Sequence, residues 1–271
     1  MPAMKSVPAV LCAAVLACAV VSQENEVESA GLKIFNGDVA TRTQFPYQAA
    51  IYIDLSVFCG GSLINEKWVL TAAHCVDGGN VWYVLLGVTE SLTPKQDGRR
   101  TYITRGGVRH PDYNSKFIIN DIGLIQLMRP ATLSEYIQTI PLTPKNKNYI
   151  GTLPTVSGFG RTDDTNASPV SPVLHYTSLP VVKNEVCSDA YGSKTGDDPS
   201  VICLRAEGTS SCKGDSGGPL VLQGDDGKVF QIGTVSFGAK AGCTVGMPVG
   251  YGNLAMFIDW ISSTTGVDFS S

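Results

Sequence analysis

Gly214-Asp215-Ser216-Gly217-Gly218-Pro219 reads as a nucleophile loop and not as a phosphate loop. Gly214 on one side of Ser216 and Gly217–Gly218 on the other let a substrate carbonyl approach the hydroxyl without meeting a Cβ. The same glycines permit a tight backbone whose successive N–H groups converge on one point, where an oxyanion would form. A serine hydroxyl is a poor nucleophile alone and needs a base, usually a histidine, held by a third group. The chain has only 3 histidines. His74 stands in Leu70-Thr71-Ala72-Ala73-His74-Cys75, and Asp121 in Asn120-Asp121-Ile122-Gly123-Leu124. Asp121 opens the apolar run Ile122–Leu127, where an unpaired buried carboxylate would be costly, so a buried partner is expected.

The chain order His, Asp, Ser is that of the chymotrypsin-type triad. From Ile34 to about Ile261 the chain resembles the trypsin/chymotrypsin-like serine peptidases. The resemblance rests on Cys59-Gly60-Gly61-Ser62-Leu63-Ile64, Trp68–Cys75, Asn120-Asp121-Ile122, Gly158-Phe159-Gly160 and Cys212–Pro219. It implies an all-β fold of two six-stranded antiparallel barrels, a C-terminal helix, and an active site in the cleft between the barrels. The first barrel would span about 34–144 and the second about 145–271, joined near Pro141–Lys147, where Pro, Lys and Asn crowd together. A non-catalytic binding homologue is the competing class. Its signature would be a replaced His, Asp or Ser, and all three are present.

The bulk properties agree with a secreted chain. Its 271 residues, 43% of them hydrophobic, are enough for a full-sized core, and a net charge of −4 without a Lys/Arg cluster argues against nucleic-acid binding. Lys5 precedes an uncharged stretch from Ser6 to Ser22, apolar from Ala9 to Val21, which reads as an export signal over residues 1–22. It is too short for a membrane span, which needs about 20 apolar residues. Removing it takes Cys12 and Cys18 from the 8 cysteines and leaves six, an even number that points to disulfides. Six cysteines allow fifteen pairings, which spacing alone cannot sort. The family resemblance implies Cys59–Cys75, Cys187–Cys203 and Cys212–Cys243.

Short apolar runs rich in β-branched and aromatic residues recur along the chain, separated by Gly, Pro, Asn and Asp clusters, as in an all-β domain. They include Gln48–Leu55, Trp68–Thr71, Val81–Leu86, Ile122–Leu127, Thr152–Ser157, Val201–Leu204, Leu220–Leu222 and Val229–Phe237. Leu254, Phe257, Ile258 and Ile261 fall at helical spacing, with Asn253 available as cap.

The resemblance assigns chemistry residue by residue. Ser216 is the nucleophile, His74 its general base and acid, and Asp121 the group that orients the imidazole. The backbone N–H groups of Gly214 and Ser216 form the oxyanion hole. Cleavage of Lys33–Ile34 would release residues 23–33 as a propeptide, and the new Ile34 amine would pair with Asp215 to order the site. Phe35 and Asn36 depart from the commoner Val-Gly pair at those places. Ser210 lies at the base of the specificity pocket, where trypsin-like members carry an aspartate. Ser236-Phe237-Gly238 pairs with the substrate backbone and leaves the pocket mouth open. Val249 stands on the wall in place of the family's glycine, making the pocket shallower and more apolar.

Cleavage after Phe, Leu, Met or Tyr is therefore expected, with elastase-like or broad collagenolytic specificity as the alternative. No cofactor and no metal are expected; Val88 follows Gly87 where the family's calcium binders carry glutamate, and Glu90 stands alone. Expected partners are protein or peptide substrates, an activating trypsin-like protease and protein protease inhibitors, with the enzyme a monomer. His110 and His175 match no catalytic position. Asn166-Ala167-Ser168 is the one glycosylation sequon, with Pro169 behind it disfavouring modification.

Overall fold

A computed structural model of the chain describes residues 34–165 and 169–269. The proposed signal segment, the propeptide with Lys33, and the Asn166 sequon lie outside the described residues. Strand β1 (Asp38–Val39) is a short arm. The first sheet comprises β2 (Gln48–Ile53), β3 (Val57–Asn65), β4 (Trp68–Thr71), β5 (Trp82–Leu86), β6 (Arg100–Thr104), β7 (Gly106–Arg109) and β8 (Gly123–Gln126), in the order β6-β5-β2-β3-β4-β8-β7. All of its pairs are antiparallel. Its two outer strands, β6 and β7, are separated by Arg105 alone. Counted as one bent strand, they close the seven-membered list into a ring of six. Thr104 marks the bend: its hydroxyl donates to the Gln126 carbonyl and accepts from the Gly106 N–H.

The second sheet repeats this device. It comprises β9 (Thr155–Gly158), β10 (His175–Ser178), β11 (Val181–Val182), β12 (Val201–Leu204), β13 (Pro219–Gln223), β14 (Val229–Phe237) and β15 (Val249–Asn253), with β1 added beside β10. Its order is β1-β10-β9-β13-β14-β15-β12-β11, and β10 and β11 are parted only by Leu179-Pro180. Proline has no N–H to give a ladder, so the strand turns there and passes from β9 to β12. Closure leaves few open edges, which is why antiparallel proteins favour it.

Alternation along β2 sets the layers. Ala49, Ile51 and Ile53 enter the interior of the first barrel with Leu63, Val69, Val84 and Ile125, whereas Ala50 faces a second cluster with Leu85 and Phe159. Val156, Leu204, Leu220, Ile232 and Tyr251 fill the second barrel. Two buried side-chain pairs join the barrels. Gln48 and Ser62 are cross-strand neighbours on β2 and β3; Gln48 Oε1 accepts from Ser157 Oγ at 2.7 Å, and Ser62 Oγ donates to Gln231 Oε1 at 2.6 Å. Between the sheets, Leu142 bridges Gln231 within the Pro141–Lys147 stretch.

The four helical-spaced apolar residues are all buried, against Leu70, Ile122, Leu124 and Val221. Leu254 lies in a 3-10 turn at Leu254–Met256, Ile258 and Ile261 in an α-helix at Ile258–Thr265, and Phe257 at the junction between them. Asn253 does not cap. Its amide donates instead to the Pro199 carbonyl, and its side chain makes no cap bond. Among the described residues no helix is long and apolar enough to cross a membrane.

Candidate active site

His74 sits in a 3-10 turn, Ala73–Cys75, at the end of β4. The Cys59–Cys75 disulfide anchors that turn to β3. Asp121 precedes β8 and is 2% exposed, so its charge must be met by protein donors. It is met three times. Oδ1 accepts the His74 backbone N–H at 2.9 Å, and Oδ2 accepts His74 Nδ1–H at 2.8 Å and the Ser236 hydroxyl at 2.6 Å. A carboxylate on Nδ1 fixes the proton there and leaves Nε2 as the free base. Burial pulls the His74 pKa down, but the charge and hydrogen bond of Asp121 outweigh it and raise the pKa above its ordinary value. Ser236 as a partner of Asp121 was not foreseen from the sequence. The two stand 115 residues apart, and no local pattern links them.

Ser216 comes from the loop leading into β13, in the other sheet. Its carbonyl accepts the Gly60 N–H at 2.8 Å and lies 3.6 Å from Cys75 Sγ, which brings the loop against the disulfide beside His74. Close approach requires the glycines. A Cβ on Gly217, where φ is +78°, would fall 2.1 Å from Thr71 Oγ1, and Gly214 holds φ +100°. Among the described residues, neither the Gly214 nor the Ser216 N–H is taken by a protein acceptor. Both are thus available to an oxyanion.

Asp215 points inward and is fully buried. Its carboxylate accepts the N–H groups of Cys212 at 2.8 Å and Gly160 at 2.7 Å. Gly158 and Gly160 make room for it, since a Cβ on either would lie 2.1–2.3 Å from a carboxylate oxygen. Burial pushes the Asp215 pKa up to about 7, against the pull of those two hydrogen bonds. Ile34 is also fully buried. The chain after it docks on the segment leading to Asp215: the Phe35 carbonyl accepts Ser210 N–H at 3.2 Å and Thr209 Oγ at 2.7 Å. Asn36 takes φ +56° and reaches the Gly208 carbonyl. Asparagine is among the few side chains that tolerate this left-handed conformation, so it serves where the family uses glycine.

Next to Ser216 opens a cavity of about 230 Å³ lined by Ser210, Ser236, Phe237, Gly238 and Val249 among others. Ser210 is buried, and its hydroxyl is spent on the Ser211 carbonyl. Val249 faces the cavity, whereas Gly250 lies behind it; a Cβ on Gly250 would strike the Phe237 ring at 2.1 Å. The Cys212–Cys243 disulfide ties the nucleophile loop to the opposite wall, and Cys187–Cys203 lies behind, its Sγ toward the Val249 carbonyl. Among the described residues two clusters group possible metal donors, Cys59/His74/Cys75 and Asp164/Cys212/Cys243, but their sulfurs are held in disulfides and offer no thiolate. The other histidines lie elsewhere. His110 packs on the rings of Phe257 and Trp260, and His175 is buried with Ser171 on its Nε2.

Residues 34–261 match the family described as Trypsin. The chain is 38% identical over 234 residues to brachyurin of Leptuca pugilator, covering 86% of this chain and 99% of that protein. It is 35% identical over 244 residues to a collagenase of Hypoderma lineatum, covering 88% and 89%, and 36% identical over 234 residues to trypsin I-P1 of Gallus gallus, covering 86% and 89%. The solved structure of HL collagenase superposes with a TM-score of 0.76 at 35% identity, covering 86% of this chain and 99% of that one. Two curled antiparallel sheets with one short C-terminal helix are the fold it shares with that structure. The chain belongs to the trypsin family, and it is a serine endopeptidase of the chymotrypsin-like class.

Proposed function

We propose that the chain is a secreted serine endopeptidase, made as a zymogen, that cleaves after large or medium apolar residues through an acyl-enzyme. The observation that carries this is the buried Asp121 bonded to His74 Nδ1, across the cleft from a glycine-flanked Ser216 that opens on a cavity with no acidic residue in its lining. Ser216 Oγ attacks the scissile carbonyl, and His74 takes the proton and delivers it to the leaving amine. Asp121 stabilises the imidazolium, with Ser236 holding the carboxylate in place. The N–H groups of Gly214 and Ser216 meet the tetrahedral oxyanion, each worth about 10²–10³ in turnover.

Specificity follows from what the cavity lacks. A buried Arg or Lys side chain would need a counter-charge, and Ser210 supplies none. Val249 narrows the space while Gly238 leaves its mouth open, which suits Phe, Leu, Met and Tyr. A second reading, broad cleavage that includes collagen, is favoured by the relative named collagenase at 35% identity. Release of that activity would require a trypsin-like protease to cut after Lys33, freeing the Ile34 amine for Asp215. The mature enzyme acts as a monomer open to protein inhibitors.

Profiling a peptide library with trypsin-treated protein tests the whole reading. Cuts after apolar residues are expected, with loss of label from a fluorophosphonate and of all turnover in Ser216→Ala. Turnover in that variant within tenfold of the parent would refute the assignment of the nucleophile. Digestion of triple-helical collagen at a rate comparable with unfolded collagen would favour the second reading.

A further inference from the structure

The wall of the cavity between Gly238 and Val249 has little structure of its own. Within it, a single backbone hydrogen bond appears among the described residues, from Gly242 N–H to the Ala239 carbonyl. Yet Gly238, Ala239, Gly242, Cys243 and Met247 all line the cavity, so something outside must hold this segment in place. One tether is the disulfide from Cys243 to Cys212. A second is the hydrogen bond that Tyr191 Oη donates to the Pro248 carbonyl, at the far end of the segment. The third is Asp164, some eighty residues earlier in the chain. Its Oδ1 accepts the Cys243 N–H at 2.5 Å; its Oδ2 accepts the Thr244 N–H at 2.9 Å and also the Thr244 hydroxyl. Gly242 clears the way, because a Cβ there would lie 2.3 Å from the carboxylate, and its φ of +135° disfavours any side chain.

These contacts close into a ring. The Arg161 N–H donates to the Lys213 carbonyl at 2.8 Å, which pins the start of the Asp164 loop to the nucleophile loop. Lys213 adjoins Cys212, Cys212 is bonded to Cys243, and Cys243 donates to Asp164. A second, smaller cavity of about 190 Å³ lies inside the ring, faced by Arg161, Asp163, Lys213 and Lys240 as well as Asp164. Desolvation and the neighbouring Asp163 oppose ionisation of Asp164. The bonds from Thr244 and Cys243 outweigh them and hold its carboxyl below the usual range.

We infer that Asp164 is a positioning residue for primary specificity: it braces residues 242–244 as the far wall of the apolar cavity and so sets how well that cavity holds a large side chain. This rests on the proposed peptidase reading. A carboxylate that donates to nothing and accepts three bonds from two consecutive residues fixes both the position and the tilt of a backbone segment. Without it residues 242–244 would keep the disulfide alone, a single pivot about which that part of the wall can swing.

The test compares the activated parent with Asp164→Ala and Thr244→Val on Phe and Ala peptide amides. Alongside runs the rate of sulfonylation by methanesulfonyl fluoride, a reagent too small to fill the cavity. For Asp164→Ala, KM for the Phe substrate should rise about 10–100-fold, as loss of charge-assisted hydrogen bonds allows, with kcat within threefold. KM for the Ala substrate and the sulfonylation rate should stay within threefold of the parent. Thr244→Val removes a single donor and should give a smaller rise in the same direction, which keeps the inference testable if Asp164→Ala fails to fold. KM for Phe within twofold of the parent in both variants would overturn it. So would sulfonylation that falls in step with KM, since that would mark Asp164 as general support for the fold. A parent inert to the reagent and to every peptide would sink the peptidase reading, and this inference with it.

Discussion

Asp121 shows how one residue's surroundings decide its chemistry. Almost fully buried, it accepts from three donors, two of His74 and one of Ser236. Its charge is what lifts the His74 pKa above the ordinary value despite burial. Catalysis needs the neutral imidazole, so kcat/KM should rise with pH through a value above about 6.5. Replacing Asp121 with Asn removes the charge and leaves desolvation, so the acid limb should move to lower pH. The amide would also present a donor to Nδ1, favour the wrong tautomer, and cut kcat by about 10⁴-fold. A pH profile of kcat/KM from 5 to 9 for parent and Asp121→Asn checks both effects. An acid limb that does not move would mean His74 is not the group titrating.

Strand β15 makes the corresponding case at the scale of an element. Its alternation puts Val249, which lines the specificity cavity, on one face with the buried Tyr251, and turns Gly250 and Gly252 toward the Phe237 ring and Thr234. Val249→Gly should therefore enlarge the specificity cavity, where the same change at Gly250 would only press on Phe237. Relief of a few methyl contacts should raise kcat/KM for Tyr and Trp relative to Leu substrates by about 10–200-fold. The ratio is the quantity to measure, since loss of a side chain only 3% exposed also lowers stability. An unchanged Tyr/Leu ratio would place Val249 outside the substrate's reach. Sequence pattern located some elements well and others not at all, for reasons visible here. Trp68–Thr71 and Val201–Leu204 match their strands end to end because their apolar residues are nearly continuous, and Val229–Phe237 does so because β-branched and aromatic residues recur along it. Val57–Asn65 and Val249–Asn253 do not read as strands by pattern, because paired or alternating glycines interrupt them. Those glycines are there for close approach: a Cβ on Gly60 would lie 2.9 Å from Gly218 Cα. Local pattern could not reach the bent strands that close each sheet, the Ser236–Asp121 bond or the Asp164 brace. Each joins segments whose proximity only the completed barrels create.

At the scale of the whole molecule, the uncut chain buries a carboxyl group that no cation balances among the described residues. Asp215 is fully buried with two N–H donors, and among the described residues no cation pairs with it. Burial lifts its pKa to about 7, against an ordinary carboxylate value of 3.8. Between those values the folded precursor keeps a proton that the unfolded chain gives up. Folded protein binds more protons there, so stability falls as pH rises from about 4 to about 7, and the loss is complete above the folded value. Cleavage after Lys33 should reverse the sign. The α-amino group of Ile34, which titrates at about 7.7–8.0 when free, would meet the carboxylate in this buried place. Asp215 would then ionise and the amine's pKa would rise. That stabilisation is fully present below the free-amine value and is lost as pH climbs through the raised one. Denaturant melts of the precursor at pH 4, 5.5, 7 and 8.5 should show a decline that levels off above pH 7, flattened throughout in Asp215→Asn. The trypsin-cut enzyme should hold its stability to about pH 8 and lose stability and activity together above it. A Lys33→Gln precursor treated with trypsin should keep the precursor's profile and remain inactive. Identical profiles for the cut and uncut chains would remove the Ile34–Asp215 pair from the mechanism, and peptide hydrolysis by the uncut chain at the cut rate would do the same.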